Sequence, residues 1–98
     1  MTITKTADGS KLTIALGGLL DTVTAPDLER ELKASLDGVT ALTFDFENLE
    51  YISSAGLRIL LLAQKIMNQQ GEMKIRKVHE VIMEIFEVTG FTDILSIE

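Results

Sequence analysis

Ninety-eight residues make one small domain, spanning residues 1–98, and a composition 46% hydrophobic with four Phe, one Tyr and no Trp gives it an aliphatic core of Ile, Leu, Val and Met. A formal charge of −6 repels phosphate backbones and argues against a nucleic-acid partner, and no segment reaches the ~20 apolar residues that membrane insertion requires. The absence of cysteine rules out a disulfide framework and a thiolate metal site, while Met-Thr-Ile-Thr-Lys-Thr at the start has no apolar core of a secretory signal, so a cytoplasmic location is expected.

Residues 2–5 and 11–15 read as two strands joined by the turn cluster Ala7-Asp8-Gly9-Ser10, a hairpin. In the second strand Leu12, Ile14 and Leu16 alternate with polar or small residues, and Gly17-Gly18 reads as its end. Leu19-Leu20-Asp21-Thr22 leads to a first helix opened by Ala25-Pro26-Asp27 and capped by Thr24 or Ala25. Proline suits that first turn because its missing N–H has no intrahelical acceptor there. Asp27, Glu29 and Glu31 suit the positive end of the helix dipole. Leu28, Leu32 and Leu36, with Ala34 or Ser35, form the apolar stripe, and Asp37-Gly38 stops it.

A third strand at 41–46 points Leu42, Phe44 and Phe46 one way, and a second helix from about 54 to 70 stops at Gly71. A fourth strand takes 73–76. A third helix at 79–89 carries Val81, Ile82, Ile85, Phe86 and Val88 and is capped by Gly90. Residues 91–97 read as a helical turn and a short strand around 94–97. Because strands and helices alternate after the hairpin, the connections are crossovers. The expected fold is α/β: a four- to five-stranded, mostly parallel sheet with an edge hairpin strand and three to four helices.

Where the third strand gives way to the second helix, the chain reads Leu49-Glu50-Tyr51-Ile52-Ser53-Ser54-Ala55-Gly56-Leu57-Arg58. Two serines at a helix start sit where unpaired amides and the positive end of the dipole converge, a favourable place for a phosphate. Plain helix capping also explains serine there. If Ser53 is the cap, its hydroxyl is engaged and Ser54 is the freer group. At 100° per residue, Ile59, Leu60, Ala63, Ile66, Met67 and Gln70 share the arc expected to face the sheet. Ser54, Leu57, Arg58, Leu61, Lys65 and Asn68 form a second stripe at spacings of three and four. That stripe either docks a partner through Leu57 and Leu61, with Arg58 and Lys65 supplying charge complementarity, or its leucines pack under a neighbouring helix.

Three blocks in this order resemble the STAS domains of bacterial anti-sigma factor antagonists, over about residues 3–97. Gly18-Leu19-Leu20-Asp21-Thr22-Val23-Thr24-Ala25-Pro26-Asp27-Leu28-Glu29 is similar to the family's stretch between strand and helix. The serine segment is similar to its phosphorylation motif, and Phe86-Glu87-Val88-Thr89-Gly90-Phe91-Thr92-Asp93-Ile94-Leu95 to its ending. The resemblance implies that Ser54, or in the alternative Ser53, accepts a phosphate. It also implies that Asp21 and Asp45 lie near that serine, shape the site and contact the kinase. The family motif carries Asp where this chain has Ser53. Asp21 as a turn residue and Asp45 as a solvated strand-end carboxylate are the structural alternatives.

Enzymatic chemistry finds little support. His79 is the sole histidine, the glycines lack a phosphate-loop or dinucleotide spacing, and no base is visible for Ser54. No metal or cofactor is expected. The resemblance implies a phosphorylation-switched antagonist, a monomer or weak dimer. Its partners would be an anti-sigma serine kinase, contacted through Asp21, Thr22, Thr24, Asp45, Ser53, Ser54, Leu57, Arg58, Leu61 and Lys65, and a phosphatase. The rival is a non-switching STAS subunit of a transport or stress-sensing complex.

Overall fold

Register decides which face of the sheet is covered. The computed structural model describes the whole of Met1–Glu98. Its elements are β1 (Thr2–Asp8), β2 (Lys11–Leu20), α1 (Ala25–Ser35), β3 (Ala41–Ile52), α2 (Ser54–Asn68), β4 (Glu72–Arg76) and α3 (Glu80–Thr89), followed by a 3-10 turn at Phe91–Asp93. The strands lie in the order β1-β2-β3-β4, with β1 antiparallel at the edge and the other three parallel. Pairings Leu12↔Leu42↔Met73 and Ile14↔Phe44↔Ile75 put the buried aliphatics and Phe44 on one face. Thr13, Thr43, Asp45, Lys74 and Arg76 stand on the other.

The two crossovers through α1 and α2 step across the sheet in one direction, so their common handedness lays both helices on the apolar face. Lys5 of β1 reaches α1 from that face, 2.6 Å from Glu31 and 3.0 Å from the Ser35 hydroxyl. Phe86 of α3 meets Phe46 with ring centroids 6.4 Å apart, so α3 joins the same layer. One core of 24 buried residues results, between a single layer of helices and a sheet whose far face stays polar.

Three strands run further than their sequence patterns indicate. β1 extends to Asp8, β2 passes through Gly17-Gly18 to Leu20, and β3 continues beyond Phe46 to Ile52. In β2 and β3 the pattern is broken by a pair of irregularities, between Ala15 and Gly17 and between Gly18 and Leu19, at each of which β3 contributes an extra residue. Burial along β3 therefore changes from every second residue to every third: Phe46, Leu49 and Ile52 point in, while Glu47, Asn48, Glu50 and Tyr51 point out. Gly17 lies within β2 rather than ending it, and a Cβ there would lie 2.6 Å from the Thr2 hydroxyl, which would have to turn aside.

The C-terminal strand contracts to one parallel bridge, Ile75↔Ile97, closed by Ile75 N–H to Ser96 O at 2.9 Å and Glu98 N–H to Ile75 O at 2.8 Å. Helix α3 begins at Glu80 with His79 as its cap, and it ends on Gly90 in the left-handed region at φ 79°. The cap of α1 is Thr24.

Candidate functional site

The site is built where β3 turns into α2. Ser53 is the N-cap, with extended backbone (φ −98°, ψ 178°). Its N–H donates to Leu20 O at 2.9 Å and its carbonyl accepts from Leu57 N–H at 2.9 Å, while its hydroxyl accepts a long 3.5 Å bond from Gly56 N–H. Ser53 is thus held to β2 and to the helix together. Ser54 follows as the first helical residue and is exposed. Neither its amide nor that of Ala55 meets an acceptor. The first turn of α2 has no acidic side chain, whereas α1 has Asp27 and α3 has Glu80. The positive end of its dipole is uncompensated.

Gly56 lets α2 start hard against the sheet. A Cβ there would lie 2.7 Å from Leu20 Cγ and from Ile52 Cγ1, and 3.0 Å from Leu20 O. The same contact brings the loop between β2 and α1 beside the serines. In that loop Asp21 Oδ1 accepts from Val23 N–H at 3.0 Å and Thr24 N–H at 3.1 Å. The Thr24 hydroxyl accepts from Asp21 N–H at 2.9 Å and donates to Leu19 O at 2.8 Å. These bonds, led by that from the Thr24 amide, hold the Asp21 carboxyl below its ordinary value against a smaller opposing effect of burial. Asp21 therefore shapes the loop, leaving Thr22 exposed and Val23 81% exposed at its tip.

Two members of the expected contact surface lie elsewhere. Leu57 is 7% exposed and belongs to the core. A single sheet-facing arc underestimates the burial of α2, because α1 packs along its flank as well. The buried arc widens to Leu57 and, two turns on, Gln64, which keeps an unpaired Oε1 while its amide donates to Asn68 at 2.8 Å. Asp45 stands on the polar face of β3, where Oδ1 accepts from Glu47 N–H at 3.0 Å. Its Oδ2 is 3.6 Å from Arg76 and 3.9 Å from Lys77. Seven residues of extended strand separate it from Ile52, roughly 20 Å.

Ser54, Arg58 and Lys65 are exposed and Leu61 is half-buried, so they keep the stripe expected of them. Arg58 and Lys65 form no ion pair, in contrast to Arg30, Lys33 and Arg76. Sequence reading missed Leu19 and Tyr51, cross-strand neighbours that are 48% and 46% exposed just before the serines. They lie in the irregular stretch where two-residue alternation fails, so periodicity gives no signal for them; only their pairing across β2 and β3 reveals a shared patch. The two depressions in the surface lie around Glu47 and His79 and along Glu80, Glu84 and Glu87. Neither is lined by Ser54.

Comparison with known proteins agrees with this architecture. A family model described as STAS domain matches residues 2–98. The chain is 39% identical over 88 residues to BtrV of Bordetella bronchiseptica, covering 88% of this chain and 76% of that one. It is 34% identical to the anti-sigma-B factor antagonist of Staphylococcus aureus, covering 86% of this chain and 80% of that one. The Bacillus cell fate determinant SpoIIAA in its phosphorylated form superposes with a TM-score of 0.77 at 16% identity, covering 99% of this chain and 91% of that one. From end to end of this two-layer scaffold, the chain belongs to the STAS domain family, among its anti-sigma factor antagonists.

Proposed function

We propose that this STAS domain is a phosphorylation-switched antagonist that binds an anti-sigma serine kinase in the cytoplasm while Ser54 is free. The observation that carries this reading is Ser54 itself, exposed at the first position of α2 beside two amides without acceptors, with the neighbouring Ser53 pinned as cap. The contact surface comprises Ser54, Arg58, Leu61 and Lys65 on α2 with Thr22 at the tip of the loop that Asp21 and Thr24 shape. Leu19, Val23 and Tyr51 add apolar area. Binding frees the sigma factor that the kinase otherwise holds.

The kinase ends the interaction by attack of the Ser54 hydroxyl on the γ-phosphorus of its own ATP. The new Oγ–P bond forms as the bond to ADP breaks, and the hydroxyl proton passes to a base of the kinase. The product adds nearly two negative charges to a surface that was apolar and cationic. A phosphatase resets it. In this reading the domain is a substrate and a ligand, a monomer or weak dimer, with no catalysis of its own.

Ser53 in place of the family's Asp favours the second reading, a non-switching subunit of a larger assembly. Purification from the native host under two growth conditions, intact mass and peptide fragmentation test the two. Phosphate on Ser54 with an occupancy that changes between conditions supports the switch. A chain unmodified in every condition and always held by the same partner establishes the subunit instead. With the kinase in hand, Ser54→Ala is expected to bind and resist release, and Ser54→Asp to lose binding by at least ~10-fold, as for a charge placed unpaired in an interface.

A further inference from the structure

The geometry points to Arg58 as the residue that captures the phosphate on Ser54, so that phosphorylation withdraws a cation from the contact surface as well as adding an anion. This rests on the reading of Ser54 as a phosphoacceptor. Ser54 and Arg58 stand at i and i+4 on the solvent side of α2. Side chains at that spacing are neighbours, and an acid placed N-terminal to its base is the favoured order. Arg58 has no partner in the free protein, although the other two arginines both do: Arg30 with Asp27, and Arg76 with Asp45.

Arg58 is the only cation in the first two turns of α2. The next, Lys65, lies 11 residues beyond Ser54, ~16 Å along the axis and out of reach. Of the charged groups on nearby segments, the carboxylates of Asp21, bound to the Thr24 and Val23 amides, and of Glu50 near the end of β3 repel a phosphate. The N-terminal ammonium acts on Asp21, and on α1, which packs against α2, the cations Arg30 and Lys33 are paired with Asp27 and Glu29 and Glu31 is paired with Lys5. The guanidinium, a planar fork of donors, can take two phosphate oxygens, and the open amides of Ser54 and Ala55 face the same anion. Before modification the fork is free for a partner's carboxylate; afterwards it is folded onto the helix start. One helix turn thus changes both signs of charge that a partner meets.

The test uses the full chain carrying phosphoserine at position 54, installed by semisynthesis, and needs neither kinase nor partner. A phosphorus NMR titration gives the second pKa of the phosphate, ordinarily about 6. Arg58→Gln is expected to raise that pKa by about 0.2–0.4 unit, the size of an exposed i,i+4 pair, while Lys65→Gln leaves it in place. Arg58 is exposed, so both variants fold, which circular dichroism verifies. A phosphate whose pKa is the same in wild type and Arg58→Gln, or that shifts equally with Lys65→Gln, overturns the assignment. Failure to find phosphate on Ser54 in the host would instead remove the switch reading and leave this measurement standing.

Discussion

Asp21 shows how one carboxylate can fix the shape of a loop. Its carboxylate organises the loop tip through the Thr24 and Val23 amides. The folded state therefore holds its pKa below the ordinary 3.8. The unfolded chain takes up the proton first as pH falls, so this contribution to stability is present above 3.8 and is lost on acidification through the lower folded value. Asp21→Ala is expected to lower the melting temperature at neutral pH, with the gap from wild type closing in acid, as read by circular dichroism melts from pH 7 down to about 2.5. A gap that stays constant with pH would mean that the loss comes from the turn's shape alone. Among the candidate residues, Ser54, Arg58 and Lys65 were legible because helical periodicity places them outside any buried arc. Leu57 was not, since its burial depends on a second helix that periodicity does not locate.

At the scale of elements, α2 is fixed by close approaches at its two ends. At its start Gly56 lies against Leu20 and Ile52. Beyond its end, a Cβ on Gly71 would meet Thr40 O at 1.9 Å, the same carbonyl that accepts from Glu72 N–H at 3.0 Å to start β4. Gly71→Ala is expected to cost about 2–3 kcal/mol, because backbone and not a flexible side chain must give way. Gly56→Ala is expected to cost ~1–2 kcal/mol, since the overpacking against two side chains is partly offset by the better helix propensity of alanine. Urea midpoints measure both. A neutral Gly56→Ala would show that α2 can slide off Leu20, and the hydrogen bond between Ser53 and Leu20 O that unites loop and helix would not be a constraint on the site. Both glycines are visible in the sequence as a motif residue and a helix stop; what each abuts is not.

The whole molecule has one core, covered by helices on one side only. Every strand and each of the three helices contributes to it or packs on it, so no element has a separate core with which to unfold alone. Denaturation by urea is expected to be one transition, coincident by far-ultraviolet circular dichroism and by near-ultraviolet absorption of Tyr51, with a slope of about 1 kcal/mol per molar urea. Two separated transitions would contradict a single core. The surface is divided by charge as well. Residues 79–98 carry Glu80, Glu84, Glu87, Asp93 and Glu98 with no Lys or Arg, while α2 exposes Arg58 and Lys65. The cationic stripe beside Ser54 is thereby a local property that the net charge of −6 conceals.

The sequence by itself determined the order and kind of the elements, the parallel sheet with its antiparallel edge, and the two serines at the start of a helix. These follow from local periods, turn residues and caps, which act over a few residues. Tertiary structure alone decided the length of β2 and β3, because their irregularities arise only when the strands pair. It decided that Leu57 is core and that Asp45 lies beside Arg76 and Lys77, because those outcomes depend on which element lies alongside. It also paired the exposed Leu19 with the exposed Tyr51 and tied Ser53 to the end of β2.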